Sequence, residues 1–387
     1  MQASVRVSSD MDAQVEKLQQ RIEWWRRDPT NASLYRQCAN TATALRRYDL
    51  LLELANSALE RSAGDLALRF DRATAHIGLR DYRAALADMA ELQPDSAEQQ
   101  YAITANRGLC HYCLQEYDQA VLHLMHEYER GVRTPQLLLM LVRSHHHLGQ
   151  MDEAVALAKA NAQLAQGDAV LAGAYALLYM DASDTASASQ WAAAALRLNP
   201  YSIDGSITEA TLATMRLQTD RAGQLFDAVL ETAPETARAW IGVGTLAMLR
   251  RDLRRAQSYF ERGLELMPEH VGSWHMLGWV QLLQQDLDAA EKTFNQALAL
   301  DRNFAETHAT LAAVDVMKGN TESARHRIEV AKRLDPQCFS AHYAEALLAD
   351  PTLQGARSQE ILQQALLNIS SRDQSALSQL LLKRRQR

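Results

Sequence analysis

The chain has 387 residues, 47% hydrophobic and 22% charged, with only 16 Gly and 8 Pro, which excludes a disordered or collagen-like chain. Its net charge of -7 supplies no global positive field for a nucleic-acid backbone or an anionic membrane, so nucleic acid is disfavoured. The cysteines, Cys38, Cys110, Cys113 and Cys338, are too sparse for a disulfide framework and read as small buried apolar residues.

The opening stretch MQASVRVSSDMDAQVEKLQQ lacks the apolar core of a signal peptide, and no long uninterrupted apolar run supplies a membrane span. A cytoplasmic location is the expectation. Abundant Ala, and Arg in place of Lys, hint at a bacterial source. Within segment 1–31, residues 10–27 place Leu18 and Ile22 in the apolar slots of a lone helix before Pro29, an expected N-terminal cap.

From residue 32 a period takes over. Pro200, Pro234, Pro268 and Pro336 are spaced 34, 34 and 68 apart, and that frame starts repeats at Ala32, Leu66, Tyr101, Pro135, Ala169, Ile203, Ala237, Val271, Ala305 and Phe339. The array runs over 32–372. Its eighth position is small in nearly every repeat (Ala39, Ala73, Gly108, Val142, Ala176, Ala210, Gly244, Gly278, Ala312, Ala346), and so is the twentieth, from Ala85 to Ala324. Two small columns imply two close helix approaches. Each repeat therefore reads as an antiparallel helix pair, with an apolar stripe including Trp240, Leu277, Phe260 and Phe294. Proline closes the second helix because it lacks an amide donor and clashes with a continuing turn.

The run WHMLGWV, followed by Ala290, Phe294 and Ala297, resembles the tetratricopeptide repeat family, and the resemblance extends over nearly the whole chain. It implies an all-α fold, a right-handed superhelical solenoid of about ten 34-residue helix-turn-helix repeats with capping helices. Arg107, Glu127, Asn161 and Glu345 depart from the pattern by occupying nominally buried slots. Residues 373–387 are expected to form a final helix with a basic tail.

No phosphate-binding loop, dinucleotide fingerprint, zinc-protease motif or serine elbow occurs, so no enzyme activity, cofactor or metal is expected. Cys110, His111, Cys113, His123 and His126, with His145, His146 and His147, match no zinc spacing, and His111 and His145 read as imidazoles in a core aromatic slot. Of the adjacent Trp24 and Trp25, helical geometry lets one pack while the other sits at the rim.

The resemblance also implies where a partner would bind, because first-helix positions 2, 5, 9, 12 and 13 line a concave groove in that family. On this sequence those positions include Met180, Ile207, Thr211, Met215, Ile241, Thr245, Met248, His275, Trp279, Leu282 and Met317, an apolar, Met-rich set. Trp279, with Ile241, Thr245, Met248, His275 and Leu282, is expected to form an open recess for an apolar anchor. The family's carboxylate clamp is disfavoured, since Arg36 and Asn40 fit but Asp71, Ala102 and Asn106 replace its other polar residues. The expected function is a non-enzymatic protein-interaction scaffold or chaperone, in bacterial secretion, pilus or envelope assembly. The alternatives are a self-assembling homo-oligomeric subunit and an RNA-binding helical-repeat protein. The last needs a basic groove, whereas Arg36, Arg143 and Arg238 are here set against Asp181, Asp204 and Glu306.

Overall fold

The structure, a computed structural model, describes residues 2–94 and 96–349. The expected terminal helix at 373–387 and the end of the tenth repeat lie outside the described residues. Every regular element among the described residues is an α-helix, and the chain divides into two compact bodies between Leu164 and Ala165.

The N-terminal body opens with α1 (Gln2–Arg27) and continues in pairs. These are α2 (Ala32–Ala44) with α3 (Tyr48–Leu59), α4 (Leu66–Gly78) with α5 (Tyr82–Met89), α6 (Ala97–Cys113) with α7 (Tyr117–Glu129), and α8 (Pro135–His147) with α9 (Met151–Ala160). Helix α6 starts four residues before Tyr101 because Ser96 caps it, its hydroxyl accepting from the Gln99 amide at 3.2 Å. Helix α9 stops early at Asn161, whose amide donates to the Leu157 carbonyl at 2.8 Å and to the Tyr128 hydroxyl at 3.0 Å, and one turn, α10 (Ala162–Ala165), follows.

The C-terminal body is regular. First helices α11 (Ala169–Asp181), α13 (Ile203–Met215), α15 (Ala237–Leu249), α17 (Val271–Leu283), α19 (Ala305–Met317) and α21 (Phe339–Ala349) alternate with second helices. The latter are α12 (Thr185–Leu198), α14 (Thr219–Thr232), α16 (Leu253–Leu266), α18 (Leu287–Leu300) and α20 (Thr321–Leu334). Prolines 200, 234, 268 and 336 stand two residues beyond the ends of α12, α14, α16 and α20.

Each pair is closed by the same turn. Position 15 lies in the left-handed region in nine repeats, at Arg46, Arg80, Gln115, Gly149, Ser183, Leu217, Arg251, Gln285 and Gly319. Its amide bonds back three residues and the next amide bonds back five, as in Arg46 to Thr43 and Arg47 to Ala42, which satisfies the carbonyls stranded at the helix end. The residue after it then caps the second helix, and Asp81, Asp184, Asp252 and Asp286 each accept an amide of its first turn.

The small columns are where the two helices of a pair meet. A Cβ on Gly278 would lie 2.5 Å from the Phe294 ring, and one on Gly108 would lie 2.5 Å from Leu124. The twentieth-position alanines from Ala85 to Ala324 are fully buried. A further lock joins consecutive repeats: the side chain at position 4 donates to the carbonyl six residues earlier. Trp240 reaches Pro234 at 2.7 Å, Trp274 reaches Pro268 at 2.7 Å, His308 reaches Arg302 at 2.9 Å and Arg69 reaches Ala63 at 3.2 Å. The inter-repeat turn is thereby held by a side chain of the helix it leads into.

The polar residues in nominally buried slots find partners. Glu127 is fully buried and pairs with Arg130 at 3.3 Å, Arg107 donates to the Met89 carbonyl, and Glu345, which is exposed, pairs with Lys332. At the N-terminal cap Trp25 is buried edge-on against Tyr35 at 5.7 Å while Trp24 is 56% exposed.

Candidate interaction face

In the C-terminal body α11 packs on α13, α13 on α15, α15 on α17 and α19 on α21, whereas each second helix packs on the next first helix rather than on its own kind. The layer whose members touch is the inner layer of a curved stack. First helices therefore form the inner layer along α11, α13, α15 and α17 and again at α19 and α21.

The residues singled out from the sequence separate into two groups. Ile207, Met248, His275, Trp279 and Leu282 are buried, with exposures of 4%, 7%, 2%, 0% and 4%. Met180, Thr211, Met215, Ile241, Thr245 and Met317 are half-buried. The open recess expected around Trp279 is therefore corrected. Its indole lies edge-on to Phe294 at 6.2 Å within the core cluster that also holds Met248 and Leu282. His275 fills the same interior, 5.4 Å from the Phe294 ring and 5.2 Å from Phe304, with Nε2 2.8 Å from the Thr307 hydroxyl. Burial pushes the His275 pKa down to about 4, so the ring is neutral at neutral pH. These are packing residues.

All of the half-buried group except Met317, at the end of α19, lies on α11, α13 and α15. Thr211 and Thr245 donate their hydroxyls to the Ile207 and Ile241 carbonyls of their own helices at 2.8 and 2.9 Å, so those donors are already satisfied. Met180, Met215 and Ile241 give the face its adaptable apolar area.

Across this face runs an ion pair between residues of two separate first helices. Arg238, at position 2 of α15, makes a two-pronged contact with Asp181, at the end of α11, at 3.1 and 2.6 Å. The partners are 57 residues apart, so the pair spans α13. Burial alone would depress the Arg238 pKa, but the Asp181 carboxylate more than offsets it and the net shift is upward. Asp204 adds to the same field. His270, the cap of α17, lies in that field too, and burial first, then Arg238, lower its pKa. The only sequence signal for this contact was opposite charge at position 13 of one repeat and position 2 of the next but one.

In the N-terminal body Arg36, the basic residue of the hypothetical clamp, is engaged by Asp71 at 3.1 Å. Burial, the largest influence, raises the Asp71 pKa. Among the described residues no group of three or more His, Cys, Asp or Glu side chains is arranged to hold a metal ion. Cys38, Cys110 and Cys338 are buried, and burial lifts the Cys110 thiol to about 12. Cys113 departs from the expectation and is exposed. Among the described residues no helix is long and apolar enough to cross a membrane.

Consecutive stacked helix pairs define an all-helical solenoid. Two family profiles, each described as tetratricopeptide repeat, match residues 235–303 and 281–350, and the same register extends back to Ala32. Residues 235–350 belong to the tetratricopeptide repeat family. No curated protein matches it in sequence. Three solved structures are similar to it. YrrB, titled a TPR protein with an unusual peptide-binding site, is 20% identical over 49% of this chain and 97% of its own, with a TM-score of 0.37. Pseudomonas aeruginosa pilF is 17% identical over 57% and 97%, with a TM-score of 0.41. A tetratricopeptide repeat protein from Parabacteroides merdae is 16% identical over 65% and 100%, with a TM-score of 0.44.

Proposed function

We propose that this chain is a non-enzymatic scaffold that binds a segment of another protein on the concave face of α11, α13 and α15. Tetratricopeptide repeat proteins are protein-interaction scaffolds, which supports the class. The observation that carries the location is the half-buried row Met180, Thr211, Met215, Ile241 and Thr245 beside the Arg238–Asp181 pair. Such a face offers apolar contact area and a directional polar anchor together, the composition of a site that holds one segment in one register.

The basic groove required for RNA is disfavoured at the two arginines whose partners are resolved, since Arg36 is matched by Asp71 and Arg238 by Asp181. The test is to isolate a partner by crosslinking from a photoreactive residue at position 215, then measure its affinity for Met215→Glu and Ile241→Glu. A charge at either site must be desolvated against an apolar ligand, so affinity should fall about tenfold or more. Arg255→Glu, on the second helix α16, is the control expected to bind normally. Unchanged affinity in both face variants, with wild-type helicity and melting, removes this face as the site.

A further inference from the structure

Seven of the twelve histidines fall between residues 76 and 147, and none occurs from 148 to 269. The concentration has a structural counterpart. Position 11 of three successive first helices is histidine, and each side chain turns toward the residue that caps the following helix. His111 Nδ1 lies 2.8 Å from the Glu116 carboxylate, His145 Nδ1 lies 2.7 Å from the Gln150 amide oxygen, and His76 lies 3.9 Å from Asp81.

Only at the α6–α7 interface are two of these rings brought face to face. His111 of α6 and His123 of α7 stack with centroids 5.3 Å apart and planes within 13°. The charges around them are unequal. On one side the Glu116 carboxylate lies 2.8 Å from His111 Nδ1, and Asp118 at the start of α7 also feels that ring. The groups that act on His123 are His111, Arg107 and His126, each cationic or able to become so. Arg107 comes from α6 and His126 from α7 itself. From α5, Arg83 reaches only Glu116, at 3.2 Å, and from α8 His147 stacks on Tyr117 at 4.4 Å. A proton on His123 thus meets like charge, while Glu127, one turn further along α7, is paired with Arg130 at 3.3 Å.

We propose that the α6–α7 helix pair is an acid-sensitive joint, in which proton uptake by the histidine stack drives the two helices apart under mildly acidic conditions. The opened pair exposes the half-buried His123 to water, where it takes up a proton. The direction follows from linkage: burial first, and then the neighbouring cations, hold the His123 pKa below its free value, so the closed form binds fewer protons than the open one. Closure is fully favoured above about pH 6.5 and weakens as pH falls below it, about tenfold per pH unit for each extra proton taken up. The joint lies in the N-terminal body, so it regulates that body's rigidity rather than the chemistry of the face proposed above.

The test is hydrogen exchange of the full chain at pH 7.5 and 5.5, corrected for intrinsic rates. Amides of α6 and α7 should lose about tenfold in protection at the lower pH, while α11 to α14, which contain no histidine, hold theirs. His123→Phe should abolish the loss. Glu116→Gln should enlarge it, because the histidine stack loses the carboxylate that touches it. Equal protection of α6 and α7 at both pH values overturns the proposal, as does the same loss in His123→Phe. Should His123→Phe fail to fold, the wild-type comparison and Glu116→Gln decide the question by themselves.

Discussion

His275 offers a stringent check on the packing of the C-terminal body. The ring is 2% exposed, its Nε2 pairs with the buried Thr307 hydroxyl, and Phe294 and Phe304 flank it. Burial lowers its pKa from 6.5 to about 4. Because the folded pKa lies below the unfolded one, the unfolded chain binds the proton first, and stability is lost as pH falls below 6.5. Loss continues down to about pH 4, where the folded form also protonates. At about 1.4 kcal/mol per pH unit, the step from pH 7 to pH 5 removes about 2 kcal/mol through this residue alone. Urea denaturation followed by circular dichroism at the two pH values, in wild type and in His275→Phe, isolates the contribution, since all other titrations cancel in the difference. Phenylalanine keeps the contacts with the two flanking rings, and the lost Thr307 hydrogen bond costs about 1 kcal/mol at either pH. The wild type should therefore lose about 2 kcal/mol more than the variant on acidification. Equal losses would show that the imidazole is solvated and that α17 is not packed as described.

Other perturbations probe the repeat geometry. Gly278→Ala should destabilise by about 1–2 kcal/mol in urea melts, because the new methyl meets the Phe294 ring at 2.5 Å and the overlap outweighs the gain in helix propensity. Leu217→Gly should stabilise by about 0.5 kcal/mol, since a 52% exposed leucine held at φ 58° is strained where glycine is not. Arg238→Ala should cost about 1 kcal/mol of stability, as both partners retain access to water, while removing the polar anchor of the concave face; Lys at this site restores charge but not the two-pronged contact, so partner affinity should recover only in part.

The fold was legible because the array repeats one solution many times. Small residues at positions 8 and 20 recur because a second helix always crosses there, and Gly278 against Phe294 shows why even a methyl is excluded. The turn at position 15 was not legible, since seven of its left-handed residues are not glycine. There the two backbone bonds closing each first helix, and not the side chain, select the conformation. The start of α6 was also missed, because Ser96 lies ahead of the repeating pattern and overrides it as a cap. Asn161 ends α9 through side-chain bonds to Tyr128 and Leu157, and the periodicity of apolar residues carries no signal for either.

The concave face was harder to read, for a reason that bears on what can bind. A position number states which way a side chain points from its own helix, but exposure depends on how closely neighbouring helices approach. Position 9 carries Trp279, Thr245 and Thr211, yet the tryptophan is sealed in the core while the threonines remain half-buried. The difference tracks the surroundings: α17 holds His275, Trp279 and Leu282 in a continuous interior with Phe294, whereas α13 and α15 border the Arg238–Asp181 pair. The side chains of Arg238 and Asp181 are 35% and 27% exposed, so water still reaches both members of the pair. That ion pair therefore marks where the inner layer stays open, and it shifts the binding region from the tryptophan named by the repeat pattern to α11, α13 and α15, where Met180, Met215 and Ile241 are accessible.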